Sequence, residues 1–178
     1  MTTTQLYLFY LVIFLYLVLS VVVAILTRAT PRHIAGALAG GAASGVVALG
    51  LIALWERVGW WHMVMPGLFT WEPYFLTLML IDATLWAFIF LITWRIARRF
   101  GWRGLAVFLV VLAVIGPLRD EWYMRRFPER GSYGPGIAPV LAISVSYVVL
   151  VLVGHGVMRL VAGPAREDRL ARRPWESA

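Results

Sequence analysis

The chain has 178 residues, of which 61% are hydrophobic and only 14% charged, with a net charge of +7 and no cysteine. A soluble domain carries about 25% charged residues, whereas here uncharged runs of about 20 residues, enough to cross roughly 30 Å of hydrocarbon, recur along the length. Together with a mean hydropathy of +0.81, this excludes a water-soluble globule, a disulfide scaffold and a thiolate metal site or nucleophile, and predicts one all-α integral membrane domain over 1–178.

The first predicted span is Leu6 to Thr27, a run without a charge. It is longer than the apolar core of about 7–15 residues in a signal peptide and lacks a basic leader, so a retained span is expected. Arg28, Pro31, Arg32 and His33 make a basic turn before the second span, Ile34 to Trp55. Small residues recur there every four positions, Gly36, Gly40 and Ser44 on one stripe and Gly41 and Gly45 on another. Small side chains at that spacing let a neighbouring backbone approach closely, inside the bundle or across a homodimer seam.

The loop 56–73 is dense in tryptophan (Trp60, Trp61 and Trp71, directly after Trp55), which suits the headgroup level. A third span, Tyr74 to Trp94, contains Asp82 and is closed by Arg95, Arg98, Arg99 and Arg103. The fourth, Gly104 to Leu118, has 15 uncharged residues, only about 22 Å of helix. The polar interval 119–136 follows, then a fifth span, Ile137 to Met158, and a tail, 159–178.

Every basic residue is arginine, which the base composition of a genome can impose and which also suits lipid phosphates. With five spans, Arg28, Arg32, Arg95, Arg98, Arg99, Arg103, Arg159, Arg166, Arg169, Arg172 and Arg173 share one side, and Arg57, Arg119, Arg125, Arg126 and Arg130 the other. The positive-inside rule then puts the N-terminus outside and the C-terminus in the cytoplasm, with the bacterial inner membrane as the expected location. The arginines sit at helix ends and form no stripe, so nucleic acid is not an expected partner.

Asp82 is the residue most suggestive of chemistry, since an acid within a span costs a few kcal/mol and is functional by default. His155, toward the cytoplasmic end of the fifth span, is expected to be a packing histidine. On the outer side, Glu72, Asp120, Glu121 and His62 are candidate proton donors or acceptors, and Arg119, Arg125, Arg126 and Arg130 could hold an anionic headgroup. The interval 119–136 is expected to be a solvated loop with internal salt bridges, or a short interfacial helix with Glu121 and Arg125 one turn apart. GSYGPG (131–136) has the glycines of a flexible turn. One histidine among scattered carboxylates makes no metal motif, and no phosphate-binding or nucleophile-elbow motif is present.

Two functions fit these residues. The first is a non-enzymatic accessory, scaffold or interaction subunit, with membrane lipids, further copies of itself or other membrane subunits as partners. The second is an enzyme or binding protein for a lipophilic substrate (a lipid, isoprenoid, quinone or carotenoid) that uses Asp82 and the outer carboxylates and arginines. The absence of lysine excludes a retinal-type Schiff base, and no particular cofactor is implied.

Overall fold

The computed structural model of the chain describes residues 3–63, 83–126 and 131–163. The elements are α1 (Thr3–Thr27), α2 (Pro31–Val58), β1 (Trp61–Met63), α3 (Ala87–Arg126), β2 (Gly131–Tyr133) and α4 (Ala138–Ala162). Among the described residues, three helical stretches are long and apolar enough to cross a membrane: α2, Ala83–Trp122 and α4.

Each boundary has a local cause. At the end of α1 the Ala29 amide donates to the Ala24 carbonyl at 2.9 Å and the Arg28 amide to that of Ile25 at 3.0 Å. This is a Schellman closure, and Arg28 occupies its left-handed position at φ 52°, where glycine is usual. Thr30 then caps α2: its hydroxyl accepts from the His33 amide, and the Thr30 amide donates back to His33 Nδ1 at 3.3 Å. Pro31 occupies the first turn, where no amide hydrogen is needed.

The two stripes of small residues on α2 meet different neighbours, and all five residues are buried. Gly36 lies against Met158, Gly40 against Gly154, and Ser44 Oγ donates to the Leu150 carbonyl at 2.8 Å. Each step of four residues along α2 is thus a step of four backward along α4, an antiparallel seam with backbones in contact. Gly41 faces residues 83 and 84 instead; a Cβ there would lie 2.7 Å from both carbonyl oxygens. The face considered for pairing between copies is covered by the chain's own helices. Phe90 closes the seam over Gly154, and Ala37, Ala87, Leu91, Trp94 and Met158 complete the core with it.

The helix α3 is broken at Gly101, whose φ of 65° and ψ of −156° are not helical. A Cβ on Gly104 would lie 2.9 Å from Ile96 Cγ2, although eight residues of straight helix span about 12 Å. Phe90 and Gly116, on either side of the break, touch α4 at Gly154 and Tyr147, only two turns apart. The chain therefore reverses at Gly101, and α3 consists of two arms, 87–100 and 102–126. Positions 16–20 of α1 lie beside 85–88, and Leu26 and Arg28 beside Arg95 and Arg98, so α1 runs parallel to the first arm.

Two expectations are corrected. Residues 119–126 form neither a loop nor a separate interfacial helix; they continue the second arm of α3 without a break. Nothing there stops a helix: Arg and Glu are good helix formers, and a drop in hydropathy is not a break in the backbone. Gly131–Tyr133, expected as a flexible turn, is a strand that pairs antiparallel with β1, with Trp61 opposite Tyr133 and His62 opposite Ser132. This small ladder ties the segment after α2 to the segment before α4, and the Gly134 amide extends it by donating to the Trp60 carbonyl at 3.0 Å.

The seam makes a direct prediction. Gly40→Ala forces a methyl group into the α4 backbone and should lower stability by about 1–3 kcal/mol. Gly50→Ala, where a Cβ meets nothing within 4 Å, should change it by less than about 0.5 kcal/mol. Thermal unfolding in mild detergent measures both, and equal melting of the two variants would show that the seam is not tight.

Candidate functional site

The polar groups of the outer end gather where the second arm of α3 meets α4. The placement begins with Gly116, which presents bare backbone to Tyr147: a Cβ would stand 2.5 Å from ring carbon Cδ2. The ring can therefore lie flat on α3, and its hydroxyl reaches Asp120, one turn further along. Tyr147 Oη donates to Asp120 Oδ2 at 2.9 Å and accepts from Arg119 Nη2 at 2.5 Å. Arg119 also donates from Nε and Nη2 to Asp120 Oδ1, at 3.0 and 2.6 Å. The result is a closed ring of three side chains, with the guanidinium carbon 5.7 Å from the Tyr147 ring centre.

The ring itself carries no net charge. Both Asp120 oxygens are engaged, and two of the three Arg119 nitrogens are committed within the protein. The Asp120 side chain is 14% exposed and that of Arg119 52%, so the carboxylate is shielded while the cation still touches solvent. Tyr133 approaches the same acids from β2. Burial pushes its phenol above the ordinary tyrosine value, and the Asp120 and Glu121 carboxylates push the same way while Arg119 opposes them. It is therefore protonated at neutral pH, and its buried hydroxyl finds no hydrogen-bond partner among the described residues.

The other outer candidates form separate pairs. Arg125 Nε donates to Glu121 at 2.7 Å, one turn away and on the exposed surface. His62 Nδ1 lies 2.5 Å from Glu56 Oε1. On β1, His62 projects to the opposite face from Trp61, the partner of Tyr133, because alternate residues of a strand point to opposite sides. The ladder thus separates His62 from Asp120. Trp55 Nε1 donates to Ser146 Oγ at 2.8 Å and its ring stacks on Trp60, which fixes the end of α2 against α4. Arg126 ends α3. Asp82, Glu72 and Arg130 lie outside the described residues.

Nearer the other end, His155 Nδ1 is 3.0 Å from Thr93 Oγ1, and that hydroxyl donates to the Phe90 carbonyl at 2.9 Å. A hydroxyl has one hydrogen to give, so His155 is the donor in their bond and carries its proton on Nδ1. Among the described residues, no group of three metal-binding side chains comes together.

Sequence reasoning found Arg119, Asp120, Glu121 and Arg125 but missed Tyr147, Tyr133 and Gly116. One signal was available: Ser144, Ser146 and Tyr147 interrupt an otherwise apolar span. Which helix would face that notch could not be read from the one-dimensional pattern.

The ring of three predicts coupling. Tyr147→Phe removes two hydrogen bonds and should destabilise the fold by about 1–2 kcal/mol, and Gly116→Ala should do the same by lifting the ring off α3. Combining the two should cost less than their sum, since both break one contact. Additive losses in thermal melts would mean that Gly116 does not position Tyr147. Comparison of the chain with protein-family models, curated proteins and solved structures returns no match.

Proposed function

We propose that this chain is a five-crossing protein of the bacterial inner membrane, with its N-terminus outside and its C-terminus in the cytoplasm, and that it serves as an accessory, scaffold or interaction subunit of a membrane assembly. The crossings would be α1, α2, the expected span Tyr74 to Trp94, whose end lies in the first arm of α3, the second arm of α3, and α4. Support for that count comes from the reversal at Gly101 and from the antiparallel run of α2 and α4. Orientation rests on charge. Among the described residues, one end of the bundle holds Arg28, Arg32, Arg95, Arg98, Arg99, Arg103 and Arg159 with no acid, while the other mixes arginines with Glu56, Asp120 and Glu121.

One observation carries the non-enzymatic reading: each described candidate acid or base of the outer end is engaged with a neighbour in the same chain. Asp120 is held by Arg119 and Tyr147, Glu121 by Arg125, and His62 by Glu56. Pairs of this kind stabilise a helix end, whereas a general acid or base needs a free position for the substrate proton. Partners in the membrane would meet an outward surface that is almost wholly apolar, such as the stripe Val107, Val110, Val114 and Leu118 on the second arm of α3.

The reading for a lipophilic substrate is favoured by one feature, the buried Tyr133 hydroxyl beside Asp120 and Glu121, which has no hydrogen-bond partner among the described residues. Native mass spectrometry of the protein, extracted gently from its own membrane, separates the two. A defined complex with itself or with other subunits is the expected result. A monomer carrying one lipid, isoprenoid, quinone or carotenoid would overturn it. Topology has its own test, because the chain contains no cysteine. A cysteine replacing Ser132 should react with an impermeant maleimide added outside intact cells, and one replacing Trp102 only after permeabilisation. The reverse pattern would invert the orientation.

A further inference from the structure

The reversal of α3 at Gly101 leaves a tip whose aromatic side chains lie outside the core. Gly101 has φ 65° and ψ −156°, a backbone region essentially closed to residues with a Cβ. Three residues on, Gly104 lets the second arm return against the first: a Cβ there would stand 2.5 Å from Phe100 Cβ. The turn is thus made within one residue, and no polar loop separates the arms. Phe100 and Trp102, which flank it, are 61% and 71% exposed. Arg99 and Arg103 beside them are exposed as well, and the Arg99 guanidinium lies over the Phe100 ring at 5.3 Å.

The length of the second arm gives the tip its place. Its uncharged run, Gly104 to Leu118, has 15 residues, about 22 Å of helix against roughly 30 Å of hydrocarbon. A span too short for the bilayer is matched by thinning the bilayer around it and by snorkelling of the flanking residues. At the far end the flanking residues are Arg119 and Asp120, already joined to Tyr147. At the near end they are Arg103 and Trp102, and Trp102 lies only about 3 Å along the helix from Gly104. Side chains lean toward the N-terminus of their helix. Arg103, at the start of the second arm, therefore reaches outward to the phosphates, while Phe100, at the end of the first, leans back toward the acyl chains. Tryptophan favours the layer between them.

We infer that this tip is a lipid-binding surface. Trp102 and Phe100 sit at the boundary of headgroups and acyl chains, with Arg99 and Arg103 at the phosphates, and together they hold the short second arm in register with the bilayer. A protein segment over the tip would keep it clear of the lipid and leave the short arm unmatched. The inference rests on α3 crossing the membrane, which the labelling at Ser132 and Trp102 tests separately. It holds for either orientation and for either reading of function.

The test uses the full chain, labelled with fluorotryptophan, in phosphatidylcholine nanodiscs and observed by fluorine NMR. Trp102→Phe identifies the Trp102 line by its loss. Lipid carrying a nitroxide near the top of its acyl chain should reduce the height of that line by roughly half or more, and lipid carrying it near the chain end should reduce it less. A line broadened by a soluble gadolinium chelate but by neither lipid would place the tip in water, and one broadened by none of the three would mean that protein covers it. Either result overturns the inference, as does stronger broadening from the chain end. Register has a second readout: Trp102→Ser should lower the melting temperature more in long-chain than in short-chain phosphatidylcholine, and an equal loss in both would show that the aromatic tip does not match the arm to the bilayer.

Discussion

The close approach of α2 and α4 is the contact on which the rest of this structure depends. In lipid no hydrophobic effect pulls one helix onto another, because the hydrocarbon is as apolar as leucine; what remains is packing at short range and hydrogen bonds between helices. Gly40 against Gly154 brings the two backbones together, and Ser44 adds a bond to the Leu150 carbonyl. Phe90 then occupies the space over Gly154, so the first arm of α3 is seated by the same bare backbone. A side chain at Gly154 would press on Phe90 and Ser44 together and so part three helices, whereas one at Gly40 would part α2 from α4.

The two ends of the bundle solve different electrostatic problems. At the end with Asp120, charges of both signs are present and pair locally, and the ring through Tyr147 neutralises an ionic group where α3 continues beyond its apolar stretch. At the end with Arg28 and Arg95, no acid is present among the described residues. There Arg32 donates to the Val161 carbonyl and Arg99 lies over the Phe100 ring. That asymmetry is the basis of the proposed orientation. Paired groups at the Asp120 end suit the proposed structural role.

The small ladder of β1 and β2 changes what the outer segments do. Sequence expectation treated 56–73 and 119–136 as separate loops, but Trp61 pairs with Tyr133, which ties the segment after α2 to the segment before α4, and Trp55 bonds Ser146 within α4. The inner seam and the outer ladder hold the same two helices at different depths. Tyr133 is carried by this ladder toward Asp120 and Glu121, beside the polar ring of α3 and α4.

By itself the sequence determined the character of the chain: helical, apolar enough for a membrane, with small residues every fourth position on α2 and arginines concentrated at one end. These are local properties. Hydropathy, spacing and charge act on each segment whatever its neighbours do, which is why the extents of α1, α2 and α4 were legible within a few residues. The Arg125–Glu121 pair was legible for the same reason, since its spacing lies within one helix. Tertiary structure alone decided which stripe of α2 meets α4, that Gly116 makes room for Tyr147, that Tyr147 joins Arg119 to Asp120, and that GSY finds a strand partner. Each of these contacts joins residues far apart in the chain, and complementarity of shape between two surfaces leaves no periodic signal in either segment alone.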